Sequence, residues 1–124
     1  MKKRIKTEKV AAAPAILSQA IEANGLLFVS GQIGVDIHWK LVEGGIEAET
    51  RQVMENIKTI LEAADSNMDN IAKVTIYVTD ITNGKIINEV YSSYFNEPLP
   101  AREMIEAKAL PLGANIEISV IAAK

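Results

Sequence analysis

Between Ile46 and Ala64 the positions Ile46, Thr50, Val53, Ile57, Ile60, Leu61 and Ala64 recur at helical spacing, while Glu47, Arg51, Glu55, Lys58 and Glu62 take the remaining surface. That period predicts an amphipathic helix of about five turns, ended by the turn-forming run Asp65-Ser66-Asn67. From Ala72 to Thr79 the period changes to two. Val74, Ile76 and Val78 face one way and Lys73, Thr75, Tyr77 and Thr79 the other, the pattern of a half-buried strand. Ile86, Ile87, Val90, Tyr91, Tyr94 and Phe95 predict a shorter helix starting near Thr82 or Asn83 and stopped by Pro98 and Pro100. Asn24-Gly25, the favoured pair of a two-residue hairpin turn, separates two candidate strands, Ile16–Glu22 and Leu26–Ile33. A loop over Asp36–Gly45 carries His38 and Trp39 near its tip. Two last strands, Ala101–Leu110 and Asn115–Ala122, are joined by Pro111-Leu112-Gly113, and in the final one Ile116, Ile118, Val120 and Ala122 share a face.

The resulting order is strand, strand, helix, strand, helix, strand, strand. Two helices on one face of a mixed sheet make a two-layer α+β domain. No linker, repeat or low-complexity stretch divides residues 1–124, so a single unit is expected. The second face of the sheet is then left uncovered by its own chain, although it mixes apolar and polar groups. Self-association that covers it is the economical expectation.

Composition narrows the chemistry. The chain of 124 residues is 48 % hydrophobic and 23 % charged, the balance of a globular domain. It has no cysteine and one histidine, His38, which removes thiolate nucleophiles, disulfides and a histidine-based zinc site within one chain. Thirteen basic against sixteen acidic residues give a net charge of −3, with no basic stripe for nucleic acid. No apolar run approaches a membrane span. The basic start Met1–Lys6 followed by Val10–Leu17 has the order of an export signal. Glu8 and Lys9 interrupt it, the apolar part is short and Pro14 sits in its middle, so the cytoplasm is the expected location.

Few residues are left that can do chemistry. Arg102 follows Pro100-Ala101 where a loop becomes a strand, and Glu117 lies on the polar face of the next strand. If those strands pair antiparallel about Pro111–Gly113, the two side chains line one sheet face. A guanidinium is a two-pronged receptor for a small carboxylate, and a partly desolvated carboxylate can hold or deprotonate a water. The plainer alternative is a structural ion pair. Ser30-Gly31-Gln32 reads either as a hydroxyl and a close-approaching backbone at a ligand or as a strand end turning at glycine. Asn88 reads as a ligand contact or as an ordinary solvated helix residue. His38 and Trp39 read better as exposed or subunit-contacting loop residues than as catalysts. Gly44-Gly45 lacks the spacing and lysine of a phosphate loop, and the Glu-rich helix is a solvated face rather than a metal site.

Taken together, several segments resemble one family. Ser30-Gly31-Gln32-Ile33, Thr50-Arg51-Gln52 with Asn56, Lys73–Val78, Asn88-Glu89-Val90-Tyr91, Pro100-Ala101-Arg102 and the run Leu110-Pro111 through Gly113-Ala114 to Ile116-Glu117-Ile118 occur in the order seen in the RidA/YjgF family of reactive-intermediate (enamine/imine) deaminases. The resemblance extends from about Thr7 to Ala122. It implies a chorismate-mutase-like α+β fold and a homotrimer with a ligand cleft at each subunit interface. It also implies cofactor-free hydrolysis of 2-aminoacrylate-type or 2-aminocrotonate-type enamines and imines to 2-keto acids and ammonia. The substrates are released by pyridoxal-phosphate-dependent dehydratases, the implied functional partners. By the same resemblance Arg102 grips the substrate carboxylate, Glu117 attends the attacking water, and Ser30, Gly31 and Asn88 line the cleft. Such substrates are small, anionic and already reactive, so positioning and one organised water suffice.

Two departures from the family pattern bear on the cleft. Leu17 stands where a cleft tyrosine is expected, and Met104 where a cysteine is common two residues after the arginine, with Glu103 between in place of a small residue. Both changes make the pocket more apolar and remove a hydrogen-bonding group. A non-catalytic trimer that binds a 2-keto acid in the same cleft is therefore the competing expectation. Ribonuclease activity, attributed to some relatives, fits poorly with the acidic balance and the lack of a histidine pair.

Overall fold

In the computed structural model, which describes residues 1–124, the chain forms six strands and two helices. They are β1 (Lys3–Ile5), β2 (Ala20–Ala23), β3 (Leu26–Ile33), α1 (Gly45–Ala63), β4 (Ile71–Val78), α2 (Gly84–Ser92), β5 (Ala101–Glu106) and β6 (Ile116–Ala123). The strands make one mixed sheet in the order β1-β2-β3-β6-β4-β5. Every neighbouring pair is antiparallel except β4 and β5, which run parallel. The α+β layer prediction and both helices agree with this fold, except that α2 ends at Ser92, short of the predicted Tyr94 and Phe95.

The core lies between the helices and one sheet face. Val53, Ile57, Ile60 and Leu61 of α1 are fully buried, as are Ile87 of α2, Val74, Ile76 and Val78 of β4, and Ile116 and Ile118 of β6. Removing each such side chain from water contributes on the order of 2 kcal/mol, so truncating Ile57 or Ile118 to alanine is costly. On the other face Phe28, Tyr77, Ile105 and Ile121 lie among Lys73, Thr75, Glu117 and Ser119, with nothing from the chain layered over them. Phe28 is 42 % and Ile105 45 % exposed. The uncovered mixed face expected from the pattern is present.

Three strand readings need correction. First, Ile16–Glu22 is not a strand throughout. The Ile16 and Leu17 amides both donate to the Ala13 carbonyl at 3.0 Å, closing a turn after Pro14, and only Ala20–Ala23 pairs with β3. The Asn24-Gly25 hairpin is as predicted, with φ of 53° and 78° at its two central residues. Second, Lys3–Ile5, whose basic character predicts no strand, adds an edge strand against β2.

The third correction matters most. The strand predicted over Ala101–Leu110 ends at Glu106 and does not pair with β6. Instead β4 lies between them: Arg102 is in register with Val74, whereas Glu117 is in register with Tyr77. Val74 is a fully buried core residue and Tyr77, three residues on, points to the open face. Arg102 and Glu117 of one chain therefore lie on opposite faces of the sheet, and they form no ion pair. Local alternation carried no information about strand order, because the connection through Pro111–Gly113 is a crossover and not a hairpin.

Candidate active site

Glu117 is placed by an irregularity in its neighbour. Val29 of β3 pairs with Val120 of β6, and the next pairing is Gln32 with Ile118. Three steps on β3 match two on β6, so one extra residue is accommodated as a bulge at Ser30-Gly31. The Glu117 side chain lies against Gly31: a Cβ at that position would come within 2.5 Å of its Oε2 and 2.9 Å of its Cδ. The glycine is needed for this close approach rather than for an unusual backbone angle. The Glu117 carboxylate accepts no hydrogen bond and joins no ion pair within the chain. Partial burial holds its carboxyl above the ordinary carboxylate range.

Ser30 ties this bulge to the segment before β2. Its hydroxyl donates to the Ser18 carbonyl at 2.6 Å, and its amide donates to the Gln19 carbonyl at 2.9 Å. The buried Gln19 amide in turn donates to the Thr7, Val10 and Ala11 carbonyls and accepts from the Thr7 amide. Leu17, 39 % exposed, is thereby held next to Ser18 and the bulge. The serine is thus a structural tie, the glycine makes room for the Glu117 side chain, and the strand does not end at the glycine but runs on to Ile33. A concavity of about 530 Å³ lies on the Leu17 side, lined by Ile5, Val10, Pro14 and Ile37 among others, and it includes neither Arg102 nor Glu117.

Arg102 belongs to a second constellation, at the β5 edge against α2. Its Nη1 donates to Asn88 Oδ1 at 2.7 Å, and its Cζ stands 4.9 Å from the centroid of the Tyr91 ring. That is its one hydrogen bond within the chain, leaving most of the five-donor fork unengaged. Asn88 is thus neither a free surface residue nor a direct partner of Glu117; it orients the guanidinium. Met104, two residues along on the same face, is partly buried against the main core and stands on the Arg102 side, not the Glu117 side. Glu106 completes the row by accepting the Ile81 amide at 3.0 Å, which fastens the turn leading into α2 to the same strand.

A family model described as Endoribonuclease L-PSP matches residues 7–124, nearly the whole chain. The chain belongs to the RidA/YjgF family. It is 45 % identical over 117 residues to Protein HMF1 of Saccharomyces cerevisiae, covering 94 % of this chain and 91 % of that one. It is 41 % identical over 123 residues to the 2-iminobutanoate/2-iminopropanoate deaminase of Rattus norvegicus, covering 98 % of this chain and 90 % of the relative. Among solved structures, the Rid-family protein YyfA of Yersinia pestis superposes with a TM-score of 0.96 at 43 % identity, covering all of both chains. Membership of the RidA/YjgF family agrees with the resemblance carried by the sequence motifs.

Two residues near these groups lie within the family motifs but are not among the candidate site residues the sequence offers. Tyr77 is the cross-strand neighbour of Glu117 on the open face, and Tyr91 lies under Arg102. The alternation of β4 already put Tyr77 on the non-core face, which was a usable signal. Tyr91 sat in the apolar stripe of α2 and was indistinguishable from core. The loop residue Trp39 donates from its indole N–H to the Ala12 carbonyl at 3.2 Å and is exposed. No helix is long and apolar enough to cross a membrane.

Proposed function

We propose that this RidA-family chain hydrolyses small 2-imino acids, formed from 2-aminoacrylate-type and 2-aminocrotonate-type enamines, to 2-keto acids and ammonia. The observation that carries the reading is the Glu117 carboxylate, unpaired, half-buried and seated on the Gly31 bulge. The deaminase name of the rat relative supports the same reaction class.

In the proposed reaction Arg102, oriented by Asn88, takes the substrate carboxylate on its open donors. Glu117 accepts a proton from a water as the water oxygen bonds to the carbon of the protonated imine, and the C=N electron pair passes to the nitrogen, which becomes a neutral amine. The protonated carboxyl gives its proton to that nitrogen, the C–N bond breaks with its electron pair leaving on ammonia, and the hydroxyl proton passes back to the Glu117 carboxylate as the ketone forms, from which ammonia carries it away. A carboxyl titrating above its usual range suits both halves of that shuttle. Imine and water are converted to keto acid and ammonia with no redox change. No step requires a cofactor or a metal.

Because Arg102 and Glu117 of one chain face opposite sides of the sheet, the proposed site is shared: the guanidinium comes from one copy and the carboxylate from the next. A closed homotrimer, with the open faces turned inward, supplies three such junctions. The pyridoxal-phosphate-dependent dehydratases that release enamines are the proposed upstream enzymes.

The test is coupled turnover. Threonine dehydratase generates the enamine in situ, and 2-oxobutanoate release is followed with wild type and with Arg102→Ala. Acceleration by wild type, lost in the variant, is expected. No acceleration, together with measurable 2-oxobutanoate binding, overturns the enzyme in favour of a non-catalytic keto-acid-binding trimer. The exposed Leu17 side chain, which offers no hydroxyl beside the bulge, is the observation that favours that second reading.

A further inference from the structure

An arginine on an exposed edge strand normally spreads over many rotamers, and fixing it for a ligand costs rotamer entropy at the moment of binding. Arg102 is on such an edge, yet two α2 residues engage its guanidinium. Asn88 holds Nη1 at 2.7 Å, and Tyr91, one turn further along the helix, presents its ring 4.9 Å from Cζ. The ring itself is firmly seated. Tyr91 is only 8 % exposed and its ring packs 4.6 Å from that of Phe95, tilted at 44°. Its hydroxyl is buried and has no hydrogen-bond partner within the chain. In this fold the phenol oxygen thus contributes no bond that would explain a tyrosine there, whereas the ring lies under a guanidinium.

We propose that Tyr91 is the positioning residue of the substrate-carboxylate site: its ring, together with Asn88, pre-orders the Arg102 guanidinium so that the free side of the fork is presented to the anion. The inference rests on the function proposed above. Guanidinium-over-ring contacts are worth about a three- to tenfold change in an equilibrium constant at a partly exposed site. Since Arg102 holds the carboxylate before and during reaction alike, that loss falls on KM and leaves kcat nearly unchanged.

Tyr91→Leu is expected to raise KM about three- to tenfold with kcat within about twofold of wild type. Tyr91→Phe, which keeps the ring, is expected to rescue KM. A merely structural residue would instead lower the melting temperature and the active fraction, moving kcat and leaving KM alone. Should Tyr91→Leu fail to fold, Tyr91→Met keeps the apolar volume without a ring face and carries the same test. Binding of 2-oxobutanoate, measured by calorimetry, separates this inference from the enzyme reading. If wild type binds but does not turn over, the enzyme reading falls, while a weaker Kd in Tyr91→Leu still supports the clamp. The deciding cycle repeats Tyr91→Leu in an Arg102→Ala background, where no further loss of 2-oxobutanoate affinity is expected. An equal loss in both backgrounds, or an unchanged KM and Kd in a folded Tyr91→Leu, overturns the proposal.

Discussion

The carboxylate of Glu117 occupies the space that a side chain at residue 31 would need: a Cβ on Gly31 would stand 2.5 Å from Glu117 Oε2. The clashing atoms are the mobile end of a long side chain, so the fold can yield by swinging the carboxylate aside. Gly31→Ala is therefore expected to leave thermal stability nearly unchanged while lowering turnover by about ten- to a hundredfold, the scale of a displacement of roughly 1 Å at a reacting group. Paired thermal melts and coupled keto-acid assays check both halves. Undiminished activity would show that the seat against Gly31 does not matter to the reaction.

Gly34 provides the opposite case, three residues further along. A Cβ there would lie 2.9 Å from both the Cα and the carbonyl oxygen of Glu49 in α1, atoms that cannot swing away. Glu49 is itself buried and fixes the start of β6, accepting from the Asn115 amide at 2.9 Å and from the Asn115 side chain at 2.7 Å. Gly34→Ala is expected to destabilise the fold by about 1–3 kcal/mol, the usual cost of overpacking. Chemical denaturation would measure it; a loss below about 0.5 kcal/mol would mean that α1 shifts freely over β3.

The raised titration of Glu117 has a consequence for stability as well as for the proposed proton shuttle. Its cause is desolvation, which disfavours the ionised form. Between the ordinary carboxyl value of 4.5 and the raised one, the folded chain binds more protons than the unfolded chain. Stability from this group is thus full below that window and is lost as pH rises through it. Glu117→Gln is expected to melt at a higher temperature than wild type at neutral pH, with the gap closing below the ordinary carboxyl range, and to lack turnover. Parallel melting curves at every pH would contradict the desolvated carboxylate.

Phe28 reports on the open face. It projects beside Ile21 and Ile121 and is 42 % exposed in the single chain. Phe28→Asp costs an isolated chain little, but it places a charge where the proposed assembly is dry, which costs far more. Sedimentation equilibrium is expected to give three chain masses for wild type and a smaller species, without turnover, for the variant. A fully active wild-type monomer would sink the shared site.

What could be read from the sequence depended on range. The α1 stripe, the alternation of β4 and β6 and the Asn24-Gly25 hairpin are local periodicities and turn chemistries, and each element formed where its pattern put it. Family motifs pointed to Arg102, Asn88, Gly31 and Glu117, and the first two do meet. What periodicity could not deliver was strand order. Nothing in Ala101–Glu106 says that its neighbour is β4 rather than β6, so the predicted common face for Arg102 and Glu117 was wrong. The bulge at Ser30-Gly31 was equally silent, since an extra residue shows only once two strands are laid side by side. Tyr91 was hidden for another reason: a buried aromatic in a helix stripe looks the same whether it fills the core or supports a cation.

The interposed strand β4 has a genetic consequence. Every proposed junction in the ring borrows its guanidinium and its carboxylate from different polypeptides, so a chain lacking Arg102 and a chain lacking Glu117 are each dead alone but not equivalent in a mixture. When the two are unfolded and reassembled together, each mixed ring regenerates one junction with both groups intact and concentrates both defects elsewhere. Two null alleles of this protein would complement each other inside a single oligomer. A protein whose two groups met within one fold would never do so.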